Sequence, residues 1–252
     1  MEVEVHVPLS ISGIWYPVYT DNPLTTGSIG LTLTLEPFIV ATVKEGEGLV
    51  FNGNEIKDFP NYEYLKRKLG TYKMVVESRV PLGYGYGLSG ALSLAYALGV
   101  KELKGVKEEE AVNQAHISEV INSNGLGDVI AQYYGKGLVY RKKPGGLGVG
   151  EVEVIELDWS NYPIYTKTVE QLPTKSIIKK NENALKLIQD FLNSPSPLKF
   201  IEVASIFTRE LGFTSPYPYS YRKKGVIVKI FEPNENIGWI KHEIAKRGAY
   251  VK

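Results

Sequence analysis

Cysteine is absent from the 252-residue sequence, and histidine occurs only three times. Disulfide bonds, thiolate metal sites and cysteine nucleophiles are therefore excluded. His116 falls in a predicted helix that lacks the His-Glu-x-x-His pattern of zinc enzymes, so we expect a packed or surface histidine there. The absence of thiols also suits a protein of a reducing compartment or of a hot one.

An excess of charge and a long apolar run are absent as well. The formal net charge is +1, and no basic stripe is present, which argues against a nucleic-acid partner. The longest mostly apolar run, residues 87–100, is too short to cross a bilayer. The sequence opens without the basic segment and apolar core of a signal peptide. We therefore expect a cytoplasmic protein that acts neither on nucleic acid nor at a membrane.

A glycine-rich stretch at residues 81–91 is the most informative feature. Glycine alternates with other residues from Gly83 to Gly87, and Ser89 follows. The pattern predicts a strand over 71–80 and a helix that starts after the glycines and ends at Gly99. Glycine allows close backbone approach, and the free N–H groups of a helix start attract an anion. Ser89 is placed to cap the helix or to reach a phosphate or metal. The alternative is a plain turn that feeds a buried helix.

The rest of the chain alternates between predicted strands and helices. Strands are expected at 3–7, ended by Pro8, and at 31–36 and 38–43, paired across Pro37, with a loop over 10–22. Asn52-Gly53 predicts a hairpin. Helices are expected at 62–69, 106–122, 129–134, 182–192, 198–211 and 235–247, and further strands at 152–157, 163–168, 226–231 and 249–252. The segment 144–150 predicts a boundary, so we expect an α+β protein with domains at 1–150 and 151–252.

Two carboxylates follow the glycine-rich stretch in the sequence. Glu119 lies near the end of a predicted helix, and Asp128 precedes a shorter one. Phosphoryl transfer needs a phosphate cradle, metal ligands and a group that positions the nucleophile. The glycines, Ser89, Glu119 and Asp128 can supply all three. Each also has a simpler interpretation, since Glu119 suits a solvated helix position and Asp128 suits a helix N-cap.

The order of these residues resembles the GHMP kinase superfamily. That family carries Pro-x-x-x-Gly-Leu-Gly-Ser-Ser-Ala after a strand, and Tyr86, Leu88 and Gly90 replace its leucine, first serine and alanine here. The resemblance implies that Ser89 and Glu119 bind Mg²⁺ and that Asp128 is the catalytic base. It also implies that ATP is held by residues of the glycine-rich stretch, namely Pro81, Gly83, Gly85, Gly87, Leu88, Ser89 and Gly90.

Within this superfamily the sequence is most similar to the archaeal pantoate kinases. Residues 8–15, 27–30 and 115–132 carry the likeness, although Ser10 replaces the usual histidine of the first motif. The resemblance implies phosphorylation of pantoate, for coenzyme A synthesis, with Ser12, Gly27 and Ser28 near the acceptor. The third glycine-rich motif has no clear counterpart beyond 208–215 or 224–225. The cation for the γ-phosphate and the substrate carboxylate is left open among Lys104, Arg141, Arg209 and Arg222.

The resemblance further implies a GHMP kinase fold. Its N-terminal half is shared with a ribosomal protein domain, its C-terminal half is a ferredoxin-like α/β sandwich, and the family-level expectation is a homodimer. Three alternatives remain open at this point: a kinase of mevalonate, homoserine or shikimate, a non-catalytic nucleotide-binding regulator, and a nucleic-acid binder. Only the acceptor pocket separates the first of these from pantoate kinase.

Overall fold

The structure is a computed structural model that describes residues 1–172 and 180–252. Its first half contains β1 (Glu2–Val18), β2 (Gly27–Lys44), β3 (Leu49–Phe51), β4 (Asn54–Glu55), α1 (Pro60–Leu69), β5 (Lys73–Glu77), α2 (Leu88–Lys104), α3 (Glu108–Ile121), α4 (Asp128–Tyr134) and β6 (Leu138–Lys143). The second half contains β7 (Glu151–Ile155), β8 (Ile164–Thr168), α5 (Asn183–Asn193), α6 (Pro197–Glu210), β9 (Ser220–Lys223), β10 (Val226–Ile230), β11 (Trp239–Ile244) and β12 (Tyr250–Val251). None of the helices described is long and apolar enough to cross a membrane.

The strands of the described residues form one connected sheet, in the order β4-β3-β5-β2-β11-β8-β10-β9. Strand β2 is its centre, because β1 and β6 also pair with it, and β12 and β7 extend these two. Helix α2 packs on β1 and β2, and α5 and α6 pack on β1. The mixed α/β class is thus as predicted. Strands β6 and β7 pair with each other across the predicted boundary near Gly150, and the division into two domains stays a prediction.

The N-terminal strand is much longer than predicted. We expected Pro8 to end it and residues 10–22 to form a loop, but β1 runs on to Val18. The pairing with β2 shifts register between Val7 and Leu9, and a proline is tolerated at such an irregularity because no ladder hydrogen bond is required there. The two predicted strands at 31–36 and 38–43 are likewise one strand, β2, whose C-terminal part pairs with β5.

Helix α2 does not end at Gly99, as the sequence suggested, but continues to Lys104. Gly99 lies inside the helix, where a Cβ atom would approach Val43 Cγ2 to 2.5 Å. The glycine therefore permits a close contact between helix and sheet. The helix ends instead at Gly105, which has the left-handed conformation of a C-terminal cap.

The predicted helix over 235–247 is wrong, because this segment contains strand β11. Trp239 to His242 pair with β8, and Ile244 pairs with Leu35 of β2. Ile237, Ile240 and Ile244 have helical spacing, which explains the wrong prediction. Ile237 is 83% exposed, so the apolar stripe that the helix prediction requires does not exist.

A buried chain of hydrogen bonds joins the glycine-rich loop to the second half of the protein. His242 Nδ1 donates to the Glu36 carbonyl at 2.8 Å, which leaves Nε2 to accept from the Thr166 hydroxyl at 2.7 Å. Thr166 Oγ1 in turn accepts from the Tyr86 hydroxyl at 2.8 Å. Tyr86, which replaces the family leucine, is thereby fixed to β8 and β11.

We expect Thr166→Val to destabilise the protein by about 2 kcal/mol, because it leaves buried polar atoms of Tyr86 and His242 without a partner. Urea unfolding followed by circular dichroism measures this loss. Thr168→Val is the matched control on the same strand, at a partly exposed position. Equal stability of the two variants would show that the chain of hydrogen bonds contributes nothing measurable.

Candidate active site

The glycine-rich loop places the N-terminus of α2 at the wall of a cavity. The helix begins at Leu88, and Gly87 precedes it in a left-handed conformation (φ 71°). The first N–H groups of a helix have no partner within the helix and favour an anion. Ser89 is not a cap, since its hydroxyl donates to both carboxylate oxygens of Glu119, at 2.8 and 3.1 Å. This start of α2 therefore has N–H groups that can bind an anion, with a hydroxyl and a carboxylate beside them.

The cavity in front of this helix, here called the loop cavity, has a volume of about 350 Å³. Apolar side chains form one part of its wall, as suits a flat aromatic ring; they are Ile56, Phe59, Leu82, Leu92 and Leu172. The predicted residues Gly83, Gly85, Gly87, Leu88 and Ser89 form another part. Pro81 and Gly90 do not line it.

Glu119 is buried, with 2% of its surface exposed. It is not the solvated helix residue that its position also suggested. Asn61 Nδ2 donates to its Oε2 at 3.2 Å, besides the Ser89 hydroxyl. Burial and the negative charge of Asp128 raise the pKa of Glu119 to about 7, and the hydrogen bonds only partly oppose this. A cation beside this carboxylate would favour its charged form.

Asp128 is the first residue of α4, and its side chain makes no N-cap hydrogen bond. The N-cap interpretation is therefore wrong. Its Oδ1 accepts from the Ser10 hydroxyl at 2.7 Å and lies 3.9 Å from Lys223 Nζ. Burial opposes the charge of Asp128, but Lys223, the Ser10 hydrogen bond and Arg141 outweigh it and lower the pKa of this carboxyl. Asp128 is thus held as a carboxylate that can accept a proton.

A second cavity lies on the other side of Asp128. It is here called the arginine cavity, and its wall contains the predicted residues Ser12, Ser28 and Arg141, together with Trp15 and Leu126. Ser12 lies on β1 and Ser28 on β2, so strands rather than loops present them. Gly27 does not line this cavity; it packs against Pro144 and Gly145.

Arg141 is 3% exposed and is held by oxygens of β2. Its Nε donates to the Ser28 carbonyl and one Nη to the Ser28 hydroxyl, both at 3.2 Å, while the other Nη donates to the Thr32 hydroxyl. A guanidinium has five N–H groups. One N–H on each terminal nitrogen is therefore left without an acceptor in the described part of the chain, and no acidic group in that part lies within salt-bridge distance. Two N–H groups of a guanidinium are the number that a carboxylate accepts in a bidentate pair.

The other cations proposed from the sequence do not line these cavities. Lys104 Nζ donates to the Leu69 carbonyl, and Arg222 forms an ion pair with Glu170. Arg209 lies on α6 beside a different surface cavity. Of the two candidates for the third motif, 208–215 contributes no residue to either cavity, whereas Lys224 of 224–225 lines both.

Several site residues carried little or no signal in the sequence. Lys223 lines both cavities from the β9–β10 hairpin, and Asn61 reaches Glu119 from α1. Gln132 lies one turn after Asp128 on α4, and its Nε2 donates to the Gly87 carbonyl at 2.8 Å. Its Oε1 is buried without a hydrogen-bond partner in the described part of the chain. His116 is a packed residue, bonded to the Thr26 carbonyl.

The oxygens at the start of α2 suit Mg²⁺, which needs few protein ligands, better than a metal that is held by three or more protein side chains. Residues 1–172 and 180–252 contain no group of three or more histidine, aspartate and glutamate side chains arranged around one point. Mg²⁺ commonly takes one or two protein oxygens and completes its shell with waters and phosphate oxygens. Ser89 Oγ and Glu119 fit such a site, and the Gln132 Oε1 atom offers an acceptor to a bound water.

Comparison with known proteins places these residues in a family. The family described as "GHMP kinases N terminal domain" matches residues 56–136, which include the glycine-rich loop, Glu119 and Asp128. A pantoate kinase of Methanocaldococcus jannaschii is 34% identical over 81% of this chain and 79% of its own length. The chain belongs to the pantoate kinase family. Another pantoate kinase, from Thermococcus kodakarensis, is 29% identical over 84% of this chain and 77% of its own length.

Solved structures confirm the fold expected of a GHMP kinase. A "Phosphotransferase related to CoA biosynthesis pathway" superimposes with a TM-score of 0.85 over 100% of this chain and 99% of its own, at 23% identity. A mevalonate diphosphate decarboxylase from Enterococcus faecalis superimposes with a TM-score of 0.70 over 100% and 99%, at 14% identity. At these identities the likeness concerns the fold alone.

Proposed function

We propose that this chain transfers the γ-phosphoryl group of ATP to the primary hydroxyl of pantoate, as a step of archaeal coenzyme A synthesis. The observation that carries the proposal is the position of Asp128 between two cavities. One cavity has the anion-binding start of α2, and the other has the buried guanidinium of Arg141. A base between a phosphate site and a carboxylate site suits a kinase whose acceptor is a hydroxy acid.

The loop cavity holds ATP in this proposal. Backbone N–H groups between Gly83 and Ser89 bind the phosphates, and the apolar wall receives the adenine. Ser89 and Glu119 hold Mg²⁺, which when bound neutralises phosphate charge and orients the γ-phosphate. Asp128 takes the proton of the acceptor hydroxyl, and Ser10 holds the carboxylate in place.

The arginine cavity holds the acceptor. The two remaining N–H groups of Arg141 bind the pantoate carboxylate, and the hydroxyls of Ser12 and Ser28 are available to its polar groups. Trp15 and Leu126 give the apolar wall that a dimethyl group needs. Homoserine, whose ammonium group would face the guanidinium, fits this cavity poorly. We further propose a cytoplasmic enzyme; the homodimer stays a prediction for sedimentation analysis.

ADP release with Mg-ATP tests the acceptor directly, with pantoate, mevalonate, homoserine and shikimate in parallel. We expect turnover with pantoate and at least 100-fold lower kcat/KM with the other three. Preferred use of another acceptor would support kinase activity but refute pantoate as the acceptor. Saturable ATP binding without turnover on any acceptor would favour the non-catalytic regulator instead.

Ser89→Ala tests the metal site. We expect the Mg²⁺ concentration for half-maximal activity to rise about tenfold, because one of the protein oxygens for the metal is removed. Ser118→Ala is the matched control, since its hydroxyl donates only within α3, next to Glu119. Binding of Mn²⁺ to the enzyme–ADP complex, followed by electron paramagnetic resonance, gives a readout besides activity. Unchanged Mn²⁺ affinity and an unchanged Mg²⁺ titration would remove Ser89 from the metal site.

A further inference from the structure

The wall between the loop cavity and the arginine cavity consists of few residues. Only Asp128, Lys223 and Lys224 line both cavities among the described residues. A phosphoryl group that passes from a nucleotide in one cavity to an acceptor in the other must cross this wall. The side chains there are therefore the ones that can act on the group in transit.

The two lysines are held at this wall by the turn that joins β9 and β10. Gly225 N donates to the Tyr84 carbonyl at 3.0 Å, and the Gly225 carbonyl accepts from Val169 N at 2.8 Å. A Cβ atom on Gly225 would fall 1.5 Å from the Glu170 carbonyl oxygen, so only glycine allows this approach. The turn is thus attached to the glycine-rich loop, and it brings cations from the second half of the chain to the phosphate side.

The positive charges at the wall favour the binding of an anion. Lys223 and Lys224 are 6% and 7% exposed, and Arg141 is buried nearby. Among the described residues, the carboxylates that act electrostatically on the two lysines are Asp128 and Glu119. Neighbouring buried cations repel each other, and a negative charge placed between them reduces this repulsion. The γ-phosphate of a bound nucleotide would supply that charge.

We propose that Lys223 and Lys224 are catalytic residues that donate hydrogen bonds to the non-bridging oxygens of the phosphoryl group as it moves between the cavities. This role rests on the proposed function. The acceptor oxygen forms a bond to the γ-phosphorus, the bond from that phosphorus to the bridging oxygen of ADP breaks, and the hydroxyl proton passes to Asp128. Fixed cations aimed at charge that builds up in a transition state lower the barrier more than they strengthen substrate binding.

The test uses Lys223→Met and Lys224→Met, which keep the length of the side chain and remove its charge. We expect kcat to fall about 100-fold in each, with the Kd for ADP changed less than threefold. Lys229→Met is the matched control, because Lys229 is another buried lysine of the same hairpin that donates to the carbonyls of Pro218 and Ile230 and lines neither cavity. Its kcat should stay within threefold of the wild type.

Titration of pantoate into the enzyme with Mg-ADP and aluminium fluoride, which imitates the phosphoryl group in transit, gives a second readout. In the wild type the fluoride should tighten pantoate binding about 100-fold, and either lysine variant should lose most of this gain. A kcat within threefold of the wild type, or an undiminished gain, would overturn the assignment. If a methionine variant fails to fold, the glutamine variant of that lysine, which also lacks the charge, replaces it with the same expected losses. A wild type without turnover would refute the proposed function instead.

Discussion

Asp128→Asn is expected to lower kcat with pantoate by at least 1000-fold. The substitution keeps the size of the side chain, but an amide cannot take the proton of the acceptor hydroxyl. Asn Oδ1 can still accept the hydrogen bond of Ser10, so the start of α4 should keep its position. The Kd for Mg-ADP should change less than threefold, because Asp128 touches the loop cavity only at its edge with the arginine cavity.

Steady-state ADP release measures the effect, with ADP binding by calorimetry as evidence of an intact site. Asp158→Asn is the control: it removes an exposed carboxylate that, among the described residues, bonds only to Ser160. A kcat of Asp128→Asn within tenfold of the wild type would refute its role as base. The catalytic rate would then have to come from the cations at the wall between the cavities.

The glycine-rich loop and the two carboxylates could be found from the sequence because each carries its own local pattern. The loop needs alternating glycines for its turns, and Glu119 and Asp128 follow at fixed distances on the next two helices. Their geometry also depends on partners that no pattern predicts. Asn61 of α1 and Ser10 of β1 fix the two carboxylates, and both are far from them in the chain.

Lys223 could not be assigned from the sequence for a related reason. The pair Lys223-Lys224 is an ordinary polar turn when it is considered alone. Its importance follows from the docking of Gly225 on Tyr84 and Val169, which joins segments separated by more than 50 residues. Long-range hydrogen bonds of this kind leave no periodicity in the sequence.

The errors in the predicted strands have a similar origin. The local sequence favoured a helix over 235–247 and a strand end at Pro8. Pairing with β8 and with β2 instead determines the secondary structure of these two segments. Pairing with a neighbouring strand can override the local secondary-structure preference of a segment. Helices α5 and α6, which carry clear apolar stripes, were predicted within two residues of their ends.

Arg141→Met is expected to lower kcat/KM for pantoate about 1000-fold. Two charge-assisted hydrogen bonds to the carboxylate are lost, at roughly 1.5–3 kcal/mol each, and 1000-fold corresponds to about 4 kcal/mol. The wild type should use the primary amide of pantoate poorly, since the amide lacks the negative charge. In Arg141→Met the acid and the amide should become similar substrates, because the group that distinguishes them is gone.

Arg141→Met is also expected to lower the stability of the protein, and this effect has to be separated from the loss of substrate binding. Removing the guanidinium takes the donor from the Ser28 oxygens, while Thr32 Oγ1 keeps its hydrogen bond with the Ser12 hydroxyl. We expect this to cost about 1–3 kcal/mol of unfolding free energy. Arg141→Lys keeps the positive charge but not the planar fork. It should therefore bind pantoate better than Arg141→Met, yet still lose about tenfold or more in kcat/KM.

The two enzymes and the two acceptors together form a thermodynamic cycle that is independent of stability. Loss of folded enzyme lowers the rate with acid and amide alike, so it cancels in their ratio. The ratio of kcat/KM for pantoate over its amide should fall by about 100-fold or more from the wild type to Arg141→Met. An unchanged ratio would mean that Arg141 supports β2 without contacting the substrate carboxylate. The carboxylate would then have to bind at the wall, to Lys223 or Lys224, and the same ratio measured in those variants would detect it there.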